Sequence, residues 1–145
     1  MATIEKIEHL TDSLKDELIV VWEKSVRSSH QFLLEEDLEY YRPRIRDIYF
    51  DAVDLYVITN PNIAAFMGLS EEMVEMLFVL PSEQSKGYGS ALLNFAFEEK
   101  HIRKIDVNEQ NTEAYQFYIH RGYHAIAMDE MDADGKPYPI IHLER

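Results

Sequence analysis

Between Met76 and Leu93 the chain reads MLFVLPSEQSKGYGSALL: an apolar run, a proline, a short polar loop, two glycines one residue apart, then an apolar-periodic segment. That order spells strand, turn, helix, with Gly87 and Gly89 where the helix begins. Glycine suits places where backbone must approach another group closely or take unusual dihedrals. A helix opening behind such a loop presents unpaired N–H groups and the positive end of its dipole, which together make an anion site. The chemistry these residues offer is that of a phosphate or diphosphate cradle. A P-loop needs Gly, four residues, then Gly-Lys-Ser/Thr; here Lys86 precedes Gly87 and no earlier glycine lies in the loop. A dinucleotide fingerprint needs a third glycine where this chain has Leu92.

What remains, Gln84-x-x-Gly87-x-Gly89, resembles the Q/R-x-x-G-x-G/A acyl-CoA motif of GNAT-type N-acetyltransferases, which likewise follows an apolar strand ending near a proline. A second stretch, Val107 to Tyr123 (VNEQNTEAYQFYIHRGY), resembles that family's N-x-x-A-x-x-F-Y-x-x-x-G-F/Y motif, matched by Asn111, Ala114, Phe117, Tyr118, Gly122 and Tyr123. Trp22-x-x-Ser25-Val26, His30-x-Phe32-Leu33 and Asp134-Gly135-Lys136-Pro137-Tyr138-Pro139 are similar to a group of small bacterial acetyltransferases of largely unassigned substrate.

The resemblance implies an acetyl-CoA-dependent N-acetyltransferase that works by direct attack of a primary amine, on a small molecule or a peptide, in a ternary complex. It implies that the backbones of Leu77, Phe78 and Val79 pair with the pantetheine arm and that Gln84, Ser85, Lys86, Gly87, Tyr88, Gly89 and Ser90 wrap the diphosphate. Asn111 would contact the pantetheine, and Tyr118 would protonate the departing sulfur. A phenol, with a pKa of about 10, suits a thiol leaving group of pKa about 8.5. The attacking amine, of pKa near 10.4 if lysine-like, must lose a proton, and the tetrahedral oxygen needs an oriented donor.

The base is less firmly marked. Family members often place a Glu on the strand before the loop, at a position that aligns with Met73 here. Glu75, two residues on and expected on the same strand face, is the candidate, acting through water, with Glu72 beside it. His30, in the link between the first two helices, is a second candidate, for amine binding or proton transfer. Trp22, Phe32 and Tyr138 are candidates to line the acceptor pocket, each also a plausible core residue. His120 and His124 stand four apart, but Gly122 ends the helix between them, so no zinc site is expected and no metal is required.

These residues need elements to hold them, and the pattern supplies an order. A strand, Thr3 to Glu8, precedes a helix capped by Thr11 or Ser13, with Leu14, Leu18, Val21, Trp22 and Val26 at helical spacing and an end near Ser28–Ser29. A second helix starts near Glu35, with a break or kink expected between Tyr41 and Arg44 at Pro43. Strands follow at Asp54–Thr59 and Ile63–Leu69, joined through Asn60-Pro61-Asn62, then Glu72–Leu80. The cradle helix runs to about Lys100. Lys104–Val107 is a strand, Asn111–His120 a helix stopped by Gly122, and Tyr123–Met131 and Tyr138–Leu143 a final hairpin around Asp134-Gly135.

The fold class is therefore mixed α+β, a single domain over residues 1–145. The resemblance sharpens this to a mostly antiparallel twisted sheet of about seven strands flanked by about four helices, splayed between the fourth and fifth strands. The chain has 145 residues, no cysteine and a formal charge of −13. Disulfides, thiolate metal sites and acyl-cysteine intermediates are excluded. The acidity disfavours nucleic acid and anionic membranes and favours cationic acceptors. No apolar run approaches the roughly 18 residues of a membrane span, and the first ten residues show no signal-peptide core, so a cytoplasmic location is expected. A monomer or homodimer is expected from the resemblance. A catalytically inactive acyl-CoA-binding domain and an unrelated nucleotide-binding module are the alternatives.

Overall fold

The structure, a computed structural model, describes residues 2–145. Its elements in chain order are β1 (Glu5–Lys6), α1 (Asp12–Ser29), α2 (Glu35–Arg44), β2 (Asp54–Thr59), β3 (Ile63–Leu69), β4 (Met73–Val79), α3 (Tyr88–Lys100), β5 (Lys104–Asn108), α4 (Thr112–His120), β6 (His124–Asp129) and β7 (Ile140–Glu144). The strands form one seven-stranded sheet in the order β1-β2-β3-β4-β5-β7-β6. Every neighbouring pair is antiparallel except β4 and β5.

The sheet is covered on both faces, and side-chain alternation shows how. On β2, Leu55 and Val57 pack towards α1 and α2, while Tyr56 and Ile58 point to the α3 and α4 side. β3 is buried at all seven positions, as a central strand between two helical layers must be. Against it α1 lays Leu18, Val21, Trp22 and Val26 on one face, and α3 lays Leu92, Leu93 and Ala96 on the other. These are helical stripes facing a core. Thr11 caps α1, its Oγ1 accepting from Leu14 N at 3.2 Å.

Three departures from the sequence pattern have physical causes. Pro43 does not break α2. The helix runs to Arg44 and passes into a π turn, Ile45–Tyr49, closed by Phe50 N–H on Ile45 O, before a 3₁₀ turn at Phe50–Ala52. The disruption due to a missing N–H is thus absorbed downstream by widening the helix. β1 is two residues long rather than six: Glu5 and Lys6 pair with Val57 and Tyr56, and past them the one bond to β2 among the described residues is Ile7 N–H to Leu55 O at 2.8 Å. β6 starts at His124 rather than Tyr123, since Tyr123 N–H bonds Tyr118 O at 3.2 Å and Gly122 N–H bonds Ile119 O at 3.1 Å. With Gly122 at φ 93°, this is a Schellman closure of α4.

The C-terminal hairpin is tied back onto α2. The Tyr138 hydroxyl donates to Asp37 and accepts from Leu34 N at 3.2 Å, and Lys136 Nζ lies 2.9 Å from Asp37 Oδ1. Hydrogen bonds from Tyr138 and Lys136 hold the Asp37 carboxyl below its ordinary range. The Tyr41 hydroxyl donates to Asp132 in the same tether. Among the described residues no helix is long and apolar enough to cross a membrane.

Candidate active site

β4 and β5 pair only at Met73–Lys104 and Val74–Ile105. Beyond those residues β4 stays with β3 as far as Val79, and β5 stays with β7 as far as Asn108, so the two strands part. The register shows where the parting begins. Gly68 pairs with Met76 and Leu69 with Val74, leaving Glu75 as an extra, unpaired residue. A bulge bends its strand and re-aims a side chain. It also breaks the strict alternation that put Glu75 on the face of Met73. Glu75 is exposed, with Oε1 accepting from Ser70 Oγ at 3.1 Å.

The gap is a cleft of about 640 Å³. One wall is β4 at Leu77, Phe78 and Val79, the facing wall β5 from Ile105 to Asn108. One end is closed by the loop and first turn of α3, where Gln84, Ser85, Gly87, Tyr88, Gly89 and Ser90 line it. At the end of α1 the lining is Ser25, Ser29 and His30 with Asn111 beside them, and Tyr118 joins it from within α4.

At the α3 end the sequence reading of the glycines has a structural basis. Gly87 takes φ 84°, ψ 9° as N-cap, a conformation that turns the chain into the helix. A Cβ on Gly89 would lie 3.2 Å from Phe117 Cζ and 3.8 Å from Val79 Cγ2, so its absence lets α3 sit against α4 and the end of β4. The first N–H groups of α3 therefore open into the cleft with the dipole behind them. Lys86 is outside the cleft wall, its Nζ 2.7 Å from Glu83 Oε2.

Arg121 is the residue that the motif patterns did not single out. Its Nε and Nη2 lie 2.9 and 2.5 Å from Ser90 Oγ, its Nη1 donates to Phe117 O at 3.0 Å, and its guanidinium carbon sits 3.5 Å over the Phe117 ring. It lines the cleft beside the α3 N-terminus and brings a positive charge there. A signal was present, since a residue four after Phe117 at a helix end reaches back over that ring.

At the α1 end, Asn111 is the N-cap of α4, its Oδ1 accepting from Ala114 N at 3.2 Å, which leaves Nδ2 towards His30 Nε2 at 3.5 Å. His30 Nδ1 lies 2.7 Å from Ser29 Oγ, and Ser29 Oγ donates to Ser25 O at 2.9 Å. Burial lowers the His30 pKa to about 4. Tyr118 is 7% exposed and lines the cleft, its ring edge-on to that of Tyr123 at 5.8 Å between centroids; the buried hydroxyl left without a hydrogen-bond partner among the described residues is that of Tyr123. Burial pushes the Tyr118 pKa well above the ordinary phenol value, so it carries its proton at neutral pH.

The remaining acceptor-pocket candidates are not gathered here. Trp22 packs in the core between α1 and the sheet, 4% exposed. Tyr138 is buried on Asp37. Phe32 stands between Tyr138 and His30, with ring centroids 5.3 Å from His30 and 6.1 Å from Tyr138. It lines a smaller recess of about 300 Å³ that shares Ser29, Asn111 and Glu113 with the main cleft.

Comparison with known proteins supplies a context for this geometry. A family model described as an acetyltransferase (GNAT) domain matches residues 51–125, from the turn before β2 into β6. The chain is 32% identical over 133 residues to peptidyl-lysine N-acetyltransferase YjaB of Escherichia coli K12, covering 88% of each chain. The solution structure of the apo form of YjaB from Escherichia coli superposes with a TM-score of 0.83 at 30% identity, covering 99% of this chain and 97% of that one. The PaiA N-acetyltransferase of Thermoplasma acidophilum, crystallised with coenzyme A, shares the fold with a TM-score of 0.70 at 17% identity over 99% of both chains.

Proposed function

The chain belongs to the GNAT acetyltransferase family, and from that premise we propose that it transfers the acetyl group of acetyl-CoA to a primary amine, the side chain of a lysine in a peptide, by direct attack in a ternary complex. The observation that carries this reading is the parting of β4 from β5. It opens one cleft that is lined both by the first turn of α3 and by Tyr118 of α4. An acyl-CoA needs both: an anion site for its diphosphate and an acid near its sulfur.

The roles follow from position. The N-terminus of α3, with Gln84, Ser85, Gly87, Tyr88, Gly89 and Ser90, holds the diphosphate, and Arg121 leaves Ser90 to meet phosphate oxygens. Lys86 exchanges Glu83 for the same charge. Main-chain groups of Leu77, Phe78 and Val79, which have no β5 partner, bond the pantetheine arm, and Asn111 contacts it from the opposite side. A β4 N–H facing the thioester oxygen stabilises the tetrahedral intermediate. Tyr118 gives its proton to the sulfur as the C–S bond breaks. Glu75 takes a proton from the amine side through water. The acidity of the chain, −13 in formal charge, favours a cationic lysine peptide, and the peptidyl-lysine activity named for YjaB points the same way.

The test is release of free thiol from acetyl-CoA with a panel of lysine peptides, polyamines and amino acids, beside calorimetric titration with acetyl-CoA. Turnover with a lysine peptide is the expected result. Binding of acetyl-CoA with no turnover on any amine would leave an acyl-CoA-binding domain instead, and failure to bind it would sink the reading.

A further inference from the structure

The tautomer of His30 can be assigned from its neighbours, and the assignment gives the ring a task. Ser29 Oγ has one hydrogen, and it donates this to Ser25 O at 2.9 Å. The 2.7 Å contact between Ser29 Oγ and His30 Nδ1 therefore needs its proton from the imidazole. The other nitrogen agrees independently. Asn111 Oδ1 is committed to Ala114 N, so an N–H of Asn111 Nδ2 faces His30 Nε2, and two donors cannot face one another. Both constraints give a protonated Nδ1 and a bare lone pair on Nε2.

That lone pair is poorly used. Its only hydrogen-bond partner among the described residues is the Asn111 amide at 3.5 Å, the limit of a hydrogen bond. The ring is also held in place. His30 N bonds Val26 O at 2.7 Å, Leu33 N bonds His30 O at 2.9 Å, and Phe32 packs on the ring. His30 lines the same cleft as Tyr118 and borders the recess that opens beside Phe32. The titratable groups on the surrounding elements are Glu75 on β4, Glu113 and Tyr118 on α4, and Tyr138 beyond Phe32; none hydrogen-bonds to the imidazole. The ring is neutral by burial alone.

We propose that His30 Nε2 is the group that meets the acceptor: it accepts a hydrogen bond from the neutral amine, aims the nitrogen lone pair at the thioester carbon, and takes the proton as the N–C bond forms. The role rests on the acetyl-transfer reading above. As the C–S bond breaks, the sulfur takes the Tyr118 proton, and the imidazolium proton returns to the phenolate through water. The products are an amide and a thiol, and both side chains regain their starting forms. Nδ1–H remains on Ser29 throughout, so the chain Ser25–Ser29–His30 keeps the ring in one tautomer. Glu75, on the exposed bulge, takes through water the first proton, which turns the ammonium into the neutral amine, and His30 takes the second.

Two measurements test this in the full-length protein. Nitrogen-15 spectra of labelled histidine read the tautomer without reference to activity. The expected result is a protonated Nδ1 and a bare Nε2 held from about pH 8 to about pH 5. The opposite tautomer, or protonation near the ordinary histidine value, overturns the proposal. In kinetics, His30→Asn keeps an N–H for Ser29 and removes the acceptor at Nε2. It is expected to lower kcat/KM for a lysine peptide by about 100-fold, with acetyl-CoA affinity within about twofold of wild type. His30→Gln restores an amide oxygen near the Nε2 position and is expected to regain about tenfold. An Asn variant as active as wild type, or one losing acetyl-CoA affinity in step with kcat, overturns the role and leaves acetyl transfer standing. A wild-type protein that binds acetyl-CoA but transfers to no amine overturns both.

Discussion

At the α3 end the cleft wall is largely main chain, shaped by Gly87 at φ 84° and by the missing side chain of Gly89. At the α1 end it is side chains from distant parts of the sequence, Ser29 and His30 beside Asn111, with Tyr118 of α4 completing the lining. The difference sets what each end can discriminate. N–H groups and a helix dipole recognise negative charge whatever is attached to it. A fixed imidazole and a buried phenol act only on atoms placed within hydrogen-bond reach. Substitutions at the first end should therefore appear in coenzyme binding, and substitutions at the second in turnover.

The largest effect is expected at the second end. Tyr118→Phe should lower kcat by about 1,000-fold with the KM for acetyl-CoA within about twofold; a retained kcat would break the division of labour between the ends. Next comes acid sensitivity from His30, whose folded-state pKa of about 4 lies below the 6.5 of the exposed side chain. Between those values the unfolded chain binds a proton that the folded chain does not, so stability falls as pH falls. Urea unfolding should show wild type losing of order 2 kcal/mol more than His30→Asn between about pH 7 and about pH 5.

Smaller effects are expected at the first end. Arg121→Ala should raise the KM for acetyl-CoA by about tenfold and leave kcat at saturation nearly unchanged, a loss the size of one charge-assisted bond. Gly87→Ala should cost about 1 kcal/mol of stability, the penalty of left-handed backbone with a Cβ, and change coenzyme affinity by less than about fivefold. Thermal unfolding and calorimetry on the same sample separate the two. A Gly87→Ala effect on affinity larger than that of Arg121→Ala would mean that dihedral freedom, not charge, governs the site.

What the sequence revealed divides along the same line. Local signals were legible: Asp54–Thr59 and Ile63–Leu69 are strands at those residues, Thr11 is a cap, and Gly122 closes α4. The passage from strand to helix at Gly87 and Gly89 was legible because glycine spacing reports backbone geometry directly. The bulge at Glu75 was not, because register depends on which residues of β3 lie opposite. Nor was the π turn after Pro43, since a proline signals disruption and not the way the helix absorbs it. Arg121 occupies a position that the second motif leaves unspecified. The Ser25–Ser29–His30 chain depends on how α1 ends, with His30 at φ −115°, ψ 55°, which no spacing encodes.

The tether from Asp37 to Tyr138 spans 101 positions. Through it the last hairpin props the segment that carries Leu34 and, just before it, Phe32 and His30. A graft of residues 132–139 from another protein would thus shift Phe32 and His30 while the first turn of α3 stayed as it is. On the acetyl-transfer reading, taste for a new acceptor can be acquired through residues 132–139, far in sequence from the His30 they support.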